Sequence, residues 1–171
     1  MRFRLPSLPL LATLLCVAAP ARAQDPAPAA PQPAATVAPR RGTERALTEA
    51  DTPRVDGPRL LTQDGRPLWL QGVAIPSLEW SVKGEHLKES FDAAIDDWKA
   101  NVIRLPLKSA FWFGEGGKHH TQKDGGEAYR ALVDELVASA NGRGCYVVLD
   151  LHEYKAPTPK HAAFWTDAAA R

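Results

Sequence analysis

The chain has 171 residues, 44% of them hydrophobic, and its 21 Lys and Arg stand against 20 Asp and Glu for a formal net charge of +1. That balance, without a polybasic patch, argues against a nucleic-acid partner, which would need a basic face.

The first residues read as an export signal. Arg2 and Arg4 form a short positive region, Leu8 to Ala19 is apolar apart from Pro9 and Thr13, and Ala21-Arg22-Ala23 is a small-x-small cleavage site. The expectation is a signal peptide over 1–23, cut after Ala23, and a secreted or periplasmic protein with no membrane attachment thereafter. The apolar stretch falls short of the roughly 20 residues of a membrane span. A retained anchor is the alternative. Leu14 and Leu15 are too bulky to make Cys16 a lipidation site. Residues 24–52 follow as an Ala/Pro-rich leader, expected to be disordered because it cannot bury enough apolar surface to offset its ordering entropy. The fold is expected over 53–171. The cysteine left after cleavage, Cys145, opens an apolar run and reads as a buried, inert thiol.

Arg59 to Gln63, Asp64-Gly65, and Arg66 to Gln71 predict a β-hairpin with a two-residue type I′ turn, whose second arm runs on through Gly72 to Ile75. His86 to Ala100 has helical spacing: Leu87, Phe91, Ile95 and Trp98 make one apolar stripe, and Asn101 ends it. Val102 to Leu107 is a short β-branched run read as a buried strand. Ser109 to Gly126 reads as a long loop carrying Phe111-Trp112-Phe113 and His119-His120. Glu127 to Ala140 is helical, with Tyr129, Leu132, Val133, Leu136 and Val137 on one face. Cys145 to His152 reads as a strand covered on both faces, and His161 to Arg171 begins another helix.

Strands alternating with helices imply βαβ units and a parallel sheet. Four segments, in order, then resemble glycoside hydrolase family 5, the cellulase family. Asp64-Gly-Arg-Pro-Leu-Trp-Leu-Gln-Gly-Val73, with Leu78-Glu79-Trp80-Ser81, is similar to that family's opening hairpin and first barrel strand. Asp97-Trp-Lys-Ala-Asn-Val-Ile-Arg-Leu-Pro106 is similar to its first helix and second strand. Gly144-Cys-Tyr-Val-Val-Leu-Asp-Leu-His152 resembles its third strand, and His161-Ala-Ala-Phe-Trp165 the start of its third helix. The resemblance spans residues 59–171. It implies the N-terminal portion, about three βα units, of a (β/α)8 TIM barrel preceded by a β-hairpin. About 120 residues are roughly half of what such a barrel uses.

The resemblance also implies a function: retaining, endo-β-glucanase-like hydrolysis of β-linked polysaccharide by a monomer, with no cofactor and no metal. Arg104 and His152 end apolar strands on the face where TIM barrels hold their active sites. Arg104 is expected to pair with a carboxylate near the nucleophile, and His152 to bond sugar hydroxyls or hold neighbouring groups. Glu79, Trp80, Trp112 and Tyr154 are further candidates for the sugar cleft, the aromatics because their rings stack on apolar sugar faces. Retaining hydrolysis needs two carboxylates about 5 Å apart. The family's pair follows the fourth strand, in Asn-Glu-Pro, and the seventh. The sequence has no Asn-Glu-Pro, so both catalytic carboxylates are expected beyond residue 171, and the chain as it stands is expected to be inactive. Asp150 reads as structural.

Three alternatives stay open. A complete three-stranded α/β domain would need no further units. A non-catalytic carbohydrate-binding protein would explain aromatics without a carboxylate pair. A metal-dependent barrel hydrolase could draw on His119-His120, His152-Glu153 and His161, although no metal-binding spacing appears among them.

Overall fold

The structure, a computed structural model, describes residues 45–118 and 122–171. The signal peptide, most of the leader and His119-His120 lie outside the described residues.

Two strands open the fold. β1 (Pro53–Asp56) pairs antiparallel with β2 (Arg59–Thr62) around a turn at Gly57. The hairpin predicted at Asp64-Gly65 is therefore one arm late. Asp64-Gly65 does turn the chain, but only Gly65 takes a positive φ, so the turn is not type I′. The Gly65 N–H bonds the Thr62 carbonyl at 2.9 Å and Thr62 N–H bonds the Arg66 carbonyl at 2.8 Å, the pattern of a three-residue loop with glycine in the left-handed position. Only Leu61 and Pro67 bridge beyond it.

The central sheet has the order β3-β4-β5, all parallel: β3 (Gly72–Ala74), β4 (Val102–Leu107) and β5 (Tyr146–Leu151). Gly72 is needed where β3 begins, because a Cβ there would meet the Val102 carbonyl oxygen at 1.6 Å. Ile103, Leu105 and Leu107 alternate onto one face and are fully buried. Helix α1 (Leu87–Asp92), the short α2 (Ser109–Trp112), α3 (Glu127–Gly142) and α4 (Pro159–Ala169) supply the rest of the core through Leu87, Phe91, Phe111, Trp112, Tyr129, Val133 and Phe164. The other face of the sheet carries Arg104, Val148 and Asp150, which are partly or fully exposed, beside a buried Pro106. β5 was expected to be covered on both faces; instead Val148 is exposed.

One helix differs from expectation. The stripe after His86 holds for Leu87, Phe91 and Ile95, but Ala93–Asp97 is a π turn, with the Trp98 N–H reaching back to the Ala93 carbonyl. The widened turn breaks the three-or-four spacing, and Trp98, predicted to share the apolar stripe, is 69% exposed. Lys99, in a left-handed conformation, ends the helix in place of Asn101. Asn101 is buried, and its side chain bonds Gln71 N–H at 2.7 Å and the Trp69 carbonyl at 2.7 Å, fastening the entry to β3.

The fold also starts earlier than residue 53. Asp51 is almost wholly buried and accepts from both Arg45 guanidinium nitrogens at 2.8 Å, from Arg66 at 2.9 Å and from Thr48 N–H at 3.0 Å. Tyr146 Oη donates to the Asp51 carbonyl at 2.7 Å. Residues 45–52, assigned from composition to the leader, are thus tied to the hairpin and to the start of β5. The physical reason is charge: one carboxylate satisfied by two arginines orders a stretch poor in apolar residues.

Candidate functional site

The three parallel strands end at a common rim. Register pairs Arg104 with Val148 and Pro106 with Asp150, so Arg104 and Asp150 are diagonal neighbours on the uncovered face. Arg104 Nη2 donates to Asp150 Oδ2 at 2.5 Å. His152, just past β5 and of the same parity, places Nδ1 at 2.9 Å from that same oxygen and 3.3 Å from Arg104 Nη2. A carboxylate can only accept here, so Nδ1–H donates to it, and in the neutral tautomer that this selects Nε2 is the acceptor for Tyr154 Oη, 3.0 Å away. Guanidinium, carboxylate, imidazole and phenol form one chain of polar contacts. The Arg104 side chain is 42% exposed, so this chain is reachable from solvent.

Arg104, His152 and Tyr154 are therefore brought together. The partner of Arg104 among the described residues is Asp150, which was read as structural. A period-two count along β5 could have found it, since 148, 150 and 152 share the face of Arg104. Glu79 and Trp80 lie in the loop after β3, at the same rim. Glu79 is turned onto its own loop, accepting from Ser77 N–H at 2.8 Å, while Trp80 is 47% exposed.

Trp112 is the correction. The start of the segment expected to be a loop forms α2, and the Trp112 ring is 1% exposed. It meets Phe164 edge-on at 4.7 Å and donates Nε1–H to Asp167 at 2.7 Å. A ring so enclosed has no face for a sugar.

Two further groups brace the rim. Tyr129 Oη donates to the Leu78 carbonyl at 2.8 Å and accepts from Lys108 N–H at 3.2 Å; burial raises its phenol well above the usual range. Glu153 Oε1 accepts from Ser109 Oγ at 2.7 Å and Ser109 N–H at 3.1 Å. Burial pushes its carboxyl upward, but the two Ser109 donors, together with His161 and Lys108, hold it below the ordinary value. A depression of about 550 Å³ lies beside β5, lined by Asp150, Glu153, Lys155, Thr158, His161 and Trp165. Among the described residues no three His, Cys, Asp or Glu side chains converge as metal ligands, and no helix is long and apolar enough to cross a membrane. Cys145 is buried, its thiol pushed up to about 11 by burial.

Known proteins share the sequence pattern and the fold of this chain. The family model described as Cellulase (glycosyl hydrolase family 5) matches residues 61–170. Endoglucanase MaCel5A of Microbulbifer sp. (strain ALW1) is 30% identical over 121 residues, covering 67% of this chain and 22% of that protein. Endoglucanase E-5 of Thermobifida fusca is 31% identical over 105 residues, covering 58% and 19%. The chain thus spans about a fifth of the length of these curated relatives. The β-glucanase SdGluc5_26A of Saccharophagus degradans, solved in complex with cellotetraose, superposes with a TM-score of 0.53 at 23% identity, over 74% of this chain and 39% of that one. That likeness shows the fold: hairpin and three βα units match part of a TIM-barrel catalytic domain. The chain belongs to glycosyl hydrolase family 5, the cellulase family.

Proposed function

We propose that these residues form one side of the sugar cleft of a retaining, endo-acting β-glucanase whose first-choice substrate is β-1,4-glucan, followed by mannan and other β-glucans. The observation that carries the reading is the linked row of Arg104, Asp150, His152 and Tyr154 on the uncovered, C-terminal end of the sheet, where barrels of this kind hold their substrates. Relatives called endoglucanases, and a neighbour solved with cellotetraose, support the substrate class. The row offers hydroxyl-binding donors and acceptors, with Trp80 and Tyr154 as exposed rings beside them.

No acid/base and no nucleophile is assigned among residues 45–171. Asp150 is occupied by Arg104 and His152, Glu153 by Ser109, and Glu79 by Ser77. The catalytic pair belongs, in this reading, to other sequence of the same protein. The protein is read as exported, and monomeric when whole.

The test is hydrolysis by the protein expressed from its whole open reading frame. Release of reducing ends from β-1,4-glucan, with the β configuration retained at the new anomeric centre by proton NMR, is expected. Folded protein that cleaves no β-glycan, or that inverts the anomeric centre, overturns the reading.

A further inference from the structure

His152 is held on a tight turn. Its own N–H continues the ladder to the Leu107 carbonyl at 2.8 Å, and Glu153 N–H then folds back to the Leu151 carbonyl at 3.1 Å. The three-residue loop so closed is centred on His152. Glu153 therefore points away from the uncovered face. Its carboxylate takes both donors of Ser109, two residues past the end of β4. On either side of Glu153 stand the two residues whose side chains touch one another, His152 and Tyr154.

We propose that Glu153 is a positioning residue: by gripping the first residue of α2 it fixes the turn that sets His152 against the Arg104–Asp150 pair and Tyr154 against His152. The inference rests on the sugar-cleft reading above. It assigns to Glu153, a carboxylate in the right region for a catalytic acid, a different task. Arg104 sits on β4 and His152 after β5, so the distance between them depends on how the two strand ends are joined. The ladder joins them on the backbone side, and Glu153 joins them again beyond the ladder. An acceptor with two converging donors keeps its rotamer better than one with a single donor, so the turn inherits that rigidity.

The test compares Glu153→Ala with Glu153→Gln in the whole protein, reading the His152 ring by nitrogen-15 NMR and the affinity for cellotetraose by calorimetry. The Gln variant keeps an oxygen that can accept both Ser109 donors. It is expected to keep the wild-type ring signals and an affinity within about twofold. The Ala variant is expected to lose the fixed tautomer of His152 and about fivefold or more in affinity, because small displacements of positioning groups are costly. Wild-type ring signals and affinity in a folded Ala variant overturn the proposal, as does a Gln variant no better than Ala. Should the Ala variant not fold, Ser109→Ala removes one donor and leaves the backbone N–H. Displaced His152 signals then support the proposal, and unchanged ones overturn it. Failure of the unsubstituted protein to bind cellotetraose would sink the sugar-cleft reading, while the His152 signals would still decide the role of Glu153.

Discussion

Asp150 Oδ2 stands 2.5 Å from Arg104 Nη2 and 2.9 Å from His152 Nδ1, one oxygen between a guanidinium and an imidazole. That single atom decides the tautomer of His152 and the orientation of Arg104. The strand register makes the meeting unavoidable, because Asp150 lies opposite Pro106 and so diagonal to Arg104.

Asp150→Asn is therefore expected to disturb the site more than the fold. All three side chains are partly exposed, so solvent screening reduces the loss of ion pairing to about 1 kcal/mol or less. The amide can turn its NH2 toward His152, which reverses the imidazole tautomer, so that Nε2–H donates to Tyr154 Oη instead of accepting from it. Nitrogen-15 shifts of His152 would read the change. An unchanged tautomer, together with unchanged affinity for cello-oligosaccharides, would count against Asp150 as the organiser of the row.

Asp51 predicts a pH dependence of stability. The hydrogen bond from Arg45 leads the causes that hold its carboxyl far below the ordinary range, with Thr48 and Arg66 adding to it against the cost of burial. A depressed native value stabilises the fold above the unfolded carboxylate pKa of about 3.9 and is lost as pH falls below it. Asp51→Asn should cost about 2 kcal/mol at pH 7, from the loss of charge-assisted hydrogen bonds. The gap between wild-type and variant melting should narrow as the buffer is taken from about pH 5 to about pH 3. A gap that widens in acid would refute the clamp.

Much of this fold could be read from period and composition. Val102 to Leu107 and the Tyr129–Val133–Leu136 face are regular enough that burial dictates them, and the β5 run is long and β-branched enough to read as a strand although Val148 is exposed. What escaped was set by contacts distant in sequence. Asp51 carries a local mark, the Thr48-x-x-Asp51 capping box with Arg45 just before it, but its third partner, Arg66, comes from the turn after β2. Trp98 was misplaced because a π turn leaves no trace in a pattern that ends at it. Trp112 looked like a loop ring because glycines follow it, yet Asp167, distant along the chain, supplies the acceptor that lets the indole N–H be buried. At the site, Arg104 and His152 were legible as polar residues ending apolar strands, whereas Asp150 needed the register.

Trp112 and Trp80 should separate by experiment. Trp112→Ala empties a packed position against Phe164 and Tyr129, and core truncations of this size cost about 3–5 kcal/mol. Trp80→Ala removes an exposed ring and should shift stability by about 0.5 kcal/mol or less. Cello-oligosaccharide affinity should move the other way, falling for Trp80→Ala at unchanged melting temperature. Equal melting temperatures for the two variants would show that Trp112 is not a core residue.

Tyr129→Phe tests the brace under the rim. The hydroxyl is the shared partner of the Leu78 carbonyl and Lys108 N–H, so its removal leaves a buried donor and a buried acceptor without their bonds. The expected cost is about 1–3 kcal/mol, which denaturant unfolding of the whole protein would measure. Because Leu78 leads directly into Glu79 and Trp80, hydrogen exchange should also quicken in residues 77–81 more than in α3 itself. The ring of Tyr129 remains and still packs edge-on against Phe111 at 5.8 Å, so the helix has no reason to loosen. Exchange that rises along α3 while the loop stays protected would mean that the hydroxyl serves the helix, and that Lys108 and Leu78 are joined by other contacts.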